Sequence, residues 1–158
     1  MDILTFDIVK PLNKDYLTTI ISVNGIDLRL IIGFLEEEQI NPNNFCLRAG
    51  AYEGISPLIA FYFHNHFCKK TAKRFRQAGE HYTLYEYAYS EASLGHTLSC
   101  KIIISDDQVS WFDFKVFSNL PSPPFIYNDL SFCFDKKKYL AAIDDIKRKK
   151  LKTYLSEF

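Results

Sequence analysis

The chain has 158 residues, 47% hydrophobic and 24% charged, with 19 basic and 19 acidic side chains balancing to zero net charge. That length and balance support one domain, 1–158, with a core that needs no staples, and no apolar run approaches the ~20 residues of a membrane span. No basic leader precedes an apolar run at "MDILTFDIVK", so a cytoplasmic location is expected. There Cys46, Cys68, Cys100 and Cys133, spread without a C-x-x-C, read as reduced thiols.

Residues 3–9, "ILTFDIV", and 16–23, "YLTTIISV", are rich in β-branched and aromatic residues and predict two strands separated by the polar "KPLNKD". Asn24-Gly25 then permits two continuations. One is a tight hairpin turn into "IDLRLII"; the other is a helix after Asp27. Leu28, Ile31, Ile32 and Leu35 fit a helical stripe, which favours the helix across 26–38, with Glu36, Glu37 and Glu38 as a solvated face. "INPNNFCLRAG" is a loop by its Asn, Pro and Gly content. In "AYEGISPLIAFYF", Ser56-Pro57 is a good helix start, because serine caps free amides and proline suits the first turn.

The clearest strand region follows. "YTLYEYAY" alternates, "TLSCKIIIS" is β-branched, and "DDQ" turns the chain into "VSWFDFKVF", an antiparallel hairpin or meander. "SNLPSPPFIYND" is a rigid, proline-rich surface connection. A short strand, "LSFCF", leads to a terminal helix capped by Asp135, with Tyr139, Ala142, Ile143, Ile146 and Leu151 on its apolar side. The expected fold class is α+β: an antiparallel sheet of about five or six strands with two or three helices, including the C-terminal one.

Candidate chemistry is sparse. In "FYFHNHFC", an extended backbone would place Tyr62, His64, His66 and Cys68 on one face, three of them possible zinc ligands. A helical backbone would set His64 and His66 about 200° apart. Any fourth ligand would come from His81, His96 or Cys100 without a standard spacing. The Ser56-Pro57 start favours helix, so the stretch reads as aromatic core running out to the basic "KKTAKRFR", and no metal or cofactor is expected. Cys68 or Cys100 beside a histidine would be needed for a thiol nucleophile, and no G-x-S-x-G is present. Asp106 and Asp107 are consecutive in a turn, as turns ask. The basic "KKTAKRFR" and "KRKKLK" have aromatic neighbours, but a sequence pI near 6.9 is far from that of a dedicated nucleic-acid binder.

Several fragments together, "DIVKPL", "TIISVNGIDL", "AYEGISP", "IIISDDQVSWFDF" and "FCFDKKKYLAAIDDIKRKK", resemble a group of small bacterial proteins with a similar hairpin ending in a Trp-containing strand. They also share an aromatic–Asp–basic–Tyr opening to the last helix. The resemblance implies structural roles: Trp111 as core anchor, Phe132 and Phe134 facing the core, Asp135 as cap. Where members of that group carry cysteines before the hairpin, this chain reads "YEYAYSEASLGHTLSC", so no metal or redox role passes across. The resemblance brings no activity with it.

The charge is blocked along the chain. Residues 1–60 hold 4 Lys/Arg against 8 Asp/Glu, and 81–135 hold 2 against 7. Residues 61–80 hold 5 against 1, and 136–158 hold 8 against 3. Such segregation can steer a charged partner, and aromatics make good interface anchors. These features point to a non-enzymatic protein-binding protein, of the kind represented by a bacterial immunity protein that neutralises a cognate toxin. The expected contact surface is Tyr82, Tyr85, Glu86, Tyr87, Tyr89 and Glu91, with Asp106, Asp107 and Asp113. A small metal-dependent or cysteine-based enzyme, or a nucleic-acid-associated accessory protein, is the alternative.

Overall fold

The computed structural model describes residues 1–40, 49–63, 65–69, 76–77, 80–87, 96–119 and 125–151. Strands β1 (Leu4–Val9), β2 (Thr18–Val23) and β3 (Ile26–Asp27) form a small antiparallel sheet in that order. Both continuations expected after Asn24-Gly25 occur in succession. The two residues take positive φ, 54° and 79°, and turn β2 into the two-residue β3. Helix α1 (Leu28–Glu37) starts at once, with the Asp27 carboxylate accepting from the Arg29 amide. The left-handed turn suits Asn-Gly because neither residue pays a large steric cost there.

The second sheet is larger. Its path is β4 (Tyr52–Gly54), β6 (His81–Tyr87), β7 (Thr97–Ile104), β8 (Gln108–Phe117) and β9 (Phe132–Asp135), and β5 (Arg76–Gln77) also pairs with β6. The fold is thus α+β with antiparallel strands, divided between two sheets. Strand β4, inside "AYEGISPLIAFYF", was not expected from the sequence.

Backbone hydrogen bonds join the sheets at both ends. The Thr19 amide donates to the Ile55 carbonyl at 3.0 Å, and the Thr18 hydroxyl to the Gly54 carbonyl at 2.6 Å. At the other end, the Asp2 amide donates to the Cys133 carbonyl and the Asp2 carboxylate accepts from the Cys133 amide. Gly54 permits the first junction. A Cβ on it would stand 1.6 Å from the Thr19 carbonyl oxygen.

Between the sheets and under the last helix, α2 (Lys136–Ile146), lies one aromatic core. Trp111 of β8 is fully buried, stacked on Phe67 and edge-on to Phe134. Its indole N–H donates to the Tyr139 hydroxyl at 3.2 Å, which donates in turn to the Phe67 carbonyl at 2.7 Å. The buried indole N–H and the Tyr139 hydroxyl are thereby both matched. Phe134 is buried and Phe132 half-buried against Phe114. Asp135 caps α2 through the Lys138 amide, and Tyr139, Ile143 and Ile146 face inward. The expected core and cap roles hold. The chain continues as a wide helical turn over Lys147–Leu151.

Glu36 departs from expectation. It is fully buried, not part of a solvated face. Its carboxyl accepts from the Tyr52 hydroxyl at 2.5 Å, from the Tyr127 hydroxyl, and from the Gly50 amide at 2.9 Å. Burial raises its pKa above the ordinary glutamate value, and the bonds from Tyr127, Tyr52 and Gly50 offset only part of that rise. The same network leaves the Tyr127 hydroxyl harder to ionise, by burial first and then by its acidic neighbours.

Three substitutions test these interactions through stability. Gly54→Ala forces the strands of the β2–β4 junction apart, with an expected loss of about 3 kcal/mol in urea denaturation. Glu36→Ala strands two hydroxyls and an amide in the core, at a cost of about 3 kcal/mol. Glu36→Gln, which cannot titrate, gives a signed test. A carboxyl whose pKa is raised on folding keeps its proton in the folded chain after the unfolded chain has lost it. Its contribution is therefore full below the ordinary value of 4.5 and is lost as pH rises through the raised folded value. The stability advantage of wild type over Glu36→Gln should shrink as pH rises above 4.5 and through the raised folded value; an advantage that grows would show a depressed carboxyl instead.

Candidate functional site

Period-two alternation on β4 sends neighbouring side chains to opposite faces. Tyr52 points inward to Glu36, so Glu53 points out. Strand β6 runs antiparallel to β4 in a register that sets Tyr52 against Tyr87, Glu53 against Glu86, and Gly54 against Tyr85. Residues directly opposite in such a pair share a face, with Cβ atoms about 5 Å apart. Glu53 and Glu86 therefore stand side by side, one half-buried and the other exposed.

The connection from β1 to β2 brings Tyr16 over this pair. Its hydroxyl donates to Glu53 Oε2 at 2.5 Å. That hydrogen bond, more than burial or the negative charge nearby, pushes the Tyr16 pKa up to about 12. The three residues rim a cleft of about 770 Å³ whose walls include Leu17, Ile55, Pro57, Leu58 and Ile59. Ser56 shapes one wall. Its side chain caps the Leu58 amide and its carbonyl accepts from Ile59 and Ala60, opening the wide helical turn Leu58–Phe63.

An apolar cleft with a few polar groups at its mouth is the usual form of a binding site. Here two of the three polar groups are carboxylates, and neither has an ion-pair partner among the described residues. Solvent reaches both, so the pair presents charge and hydrogen-bond acceptors to a ligand.

The structure divides the expected contact surface. Glu86 belongs to the cleft. Tyr82 and Tyr85 do not reach the surface: they are 1% and 0% exposed. Tyr82 packs against the His66 ring, and the Tyr85 hydroxyl is held between the backbone amide and carbonyl of Ile21. Both are corrected to core residues. Strand alternation cannot expose one face of β6 where other segments cover both. Tyr87 ends β6, while Tyr89 and Glu91 lie outside the described residues.

Asp106 and Asp107 are exposed in the β7–β8 turn. Glu86 pairs with Thr97 at the opposite end of β7, so the two acidic sites are roughly 25 Å apart along the strand. Asp113 is half-buried with a positive φ of 51°. Its carboxylate meets His81 Nε2 at 3.1 Å, Lys101 at 3.6 Å and Lys115 at 3.7 Å. Burial draws its pKa upward, but Lys115, His81 and Lys101 together hold it below the ordinary value. Its charge is answered within the fold by these three neighbours.

The residues of "FYFHNHFC" are helical at both ends. Leu58–Phe63 forms the wide turn and His66–Cys68 a single 3₁₀ turn, so the alternation that a shared ligand face would need is not present. His66 is buried with Nε2 2.8 Å from the Thr83 carbonyl, which can only accept, so this nitrogen carries the proton. His64 lies outside the described residues, and among those described no three His, Cys, Asp or Glu converge on a metal position. Cys100 is completely buried, and burial pushes its thiol pKa well up, the reverse of what a nucleophile requires. No described helix is long and apolar enough to cross a membrane.

Sequence reasoning missed Tyr16 and Glu53 because they are 37 residues apart and lie in unremarkable surroundings. The signal available was Gly54, beside a glutamate and just before Ser56-Pro57, but its meaning depends on Thr19. Compared with protein-family models, curated proteins and solved structures, the chain matches none.

Proposed function

We propose that this protein is a non-enzymatic binding protein that covers a basic surface of another protein, as an immunity protein covers its cognate toxin. The observation that carries the reading is the cleft itself, apolar inside, with Tyr16, Glu53 and Glu86 at its mouth. Negative charge held on a rigid sheet steers a basic partner toward the site and sets its orientation. The apolar walls and the exposed Tyr16 ring then slow its departure, since desolvated aromatic and aliphatic anchors carry most of the energy of an interface. The blocked charge of the sequence agrees with such steering, and cytoplasmic action against an intracellular toxin fits the reading.

The test takes the products of the genes adjoining this one and asks whether any is a toxin domain that this protein binds. A 1:1 complex of nanomolar or tighter affinity is expected, with an association rate that falls steeply with salt. Glu86→Lys should slow association about tenfold and weaken protection of cells expressing the toxin. If no neighbouring gene product binds and growth is not protected, the proposal fails.

A further inference from the structure

We propose that the cleft is a receptor for one arginine side chain, presented by the protein partner on an apolar segment, with the guanidinium set between Glu53 and Glu86. The inference rests on the protein-binding reading above and names the group that the site would hold.

Directly opposed like charges on paired strands are destabilising. Two other carboxylates on the strands are answered by cations: Asp27 by Arg29 at 2.6 Å, and Asp113 by His81, Lys101 and Lys115. At the cleft no cation among the described residues answers the pair, and the one described donor to it is the neutral Tyr16 hydroxyl on Glu53. A cation from outside would complete the arrangement.

The shape of the site selects among cations. A hard metal ion takes six or more oxygen ligands or keeps its own waters, and the cleft offers two carboxylates, a phenol and hydrocarbon walls. A lysine ammonium is a compact, strongly hydrated point charge. A guanidinium is planar and weakly hydrated, and its five donors can serve two carboxylates at once. It also stacks on aromatic faces, and Tyr16 is 46% exposed beside the pair. The three methylenes of an arginine stem suit walls made by Leu17 and Ile59, and flanking apolar residues suit Pro57 and Leu58.

The experiment titrates the full chain with acetyl-Gly-Leu-Arg-Leu-Gly-amide and follows backbone amide shifts by NMR. Saturable binding is expected with Kd of about 1 mM, the scale of one anchoring side chain. Shifts should centre on Tyr16, Glu53 and Glu86. The citrulline peptide, isosteric but uncharged, should bind at least about tenfold more weakly, and the lysine peptide several-fold more weakly. Glu86→Gln, an exposed substitution, should leave the melting temperature near wild type and weaken the arginine peptide about tenfold. No saturation at 10-fold the expected Kd, equal binding of the citrulline peptide, or equal binding by Glu86→Gln would each overturn the inference. A toxin complex insensitive to Glu86→Gln, together with a silent peptide, would sink the arginine receptor and leave the binding-protein reading standing. Peptide binding without any toxin complex would do the opposite.

Discussion

The carboxyl of Glu36 is the interaction on which the arrangement of the site depends. It holds three separate pieces of chain: the Gly50 turn by its amide, β4 by Tyr52, and the segment before β9 by Tyr127. Burying a carboxyl is costly unless donors surround it, and here three do. With Tyr52 turned inward to this group, strand alternation turns Glu53 outward. The register with β6 then places Glu86 beside it. A buried polar cluster thus decides which face of β4 carries charge, and Gly54 lets the strand come close enough to β2 for Tyr16 to arrive from above.

The two ends of β6 use acidic side chains differently. Near His81 an aspartate is enclosed by cations and serves the fold. Near Glu86 two glutamates are left facing each other over hydrocarbon. Local repulsion lowers stability, and sites that do so are where function tends to be found. The large aromatic core, with Trp111, Tyr139 and Phe67 linked by both packing and hydrogen bonds, supplies stability to offset it.

What the sequence reveals follows the range of the interaction. Asp27 and Asp135 cap helices through amides two and three residues away, and both caps can be read locally. The β7–β8 hairpin is legible because its turn and both alternating strands are contiguous. The π-type turn after Ser56 follows from the same local capping logic. Glu36 is illegible because "EEEQ" looks like any charged helix face, while its partners Tyr52 and Tyr127 are 16 and 91 residues away. Tyr82 and Tyr85 mislead for a related reason. Alternation predicts one wet face, but the His66–Cys68 turn and β2 cover both sides. The cleft requires Tyr16, Glu53 and Glu86 to meet, and only the tertiary register brings them together.

The site depends on Glu53 and Glu86 standing as a like-charged pair that no cation among the described residues answers. A double-mutant cycle on stability, using Glu53→Gln, Glu86→Gln and the double variant in low and high salt, tests it most directly. A repulsive coupling of about 0.5 kcal/mol at low salt, fading as salt is added, is expected. A coupling that is zero or attractive at low salt would contradict it.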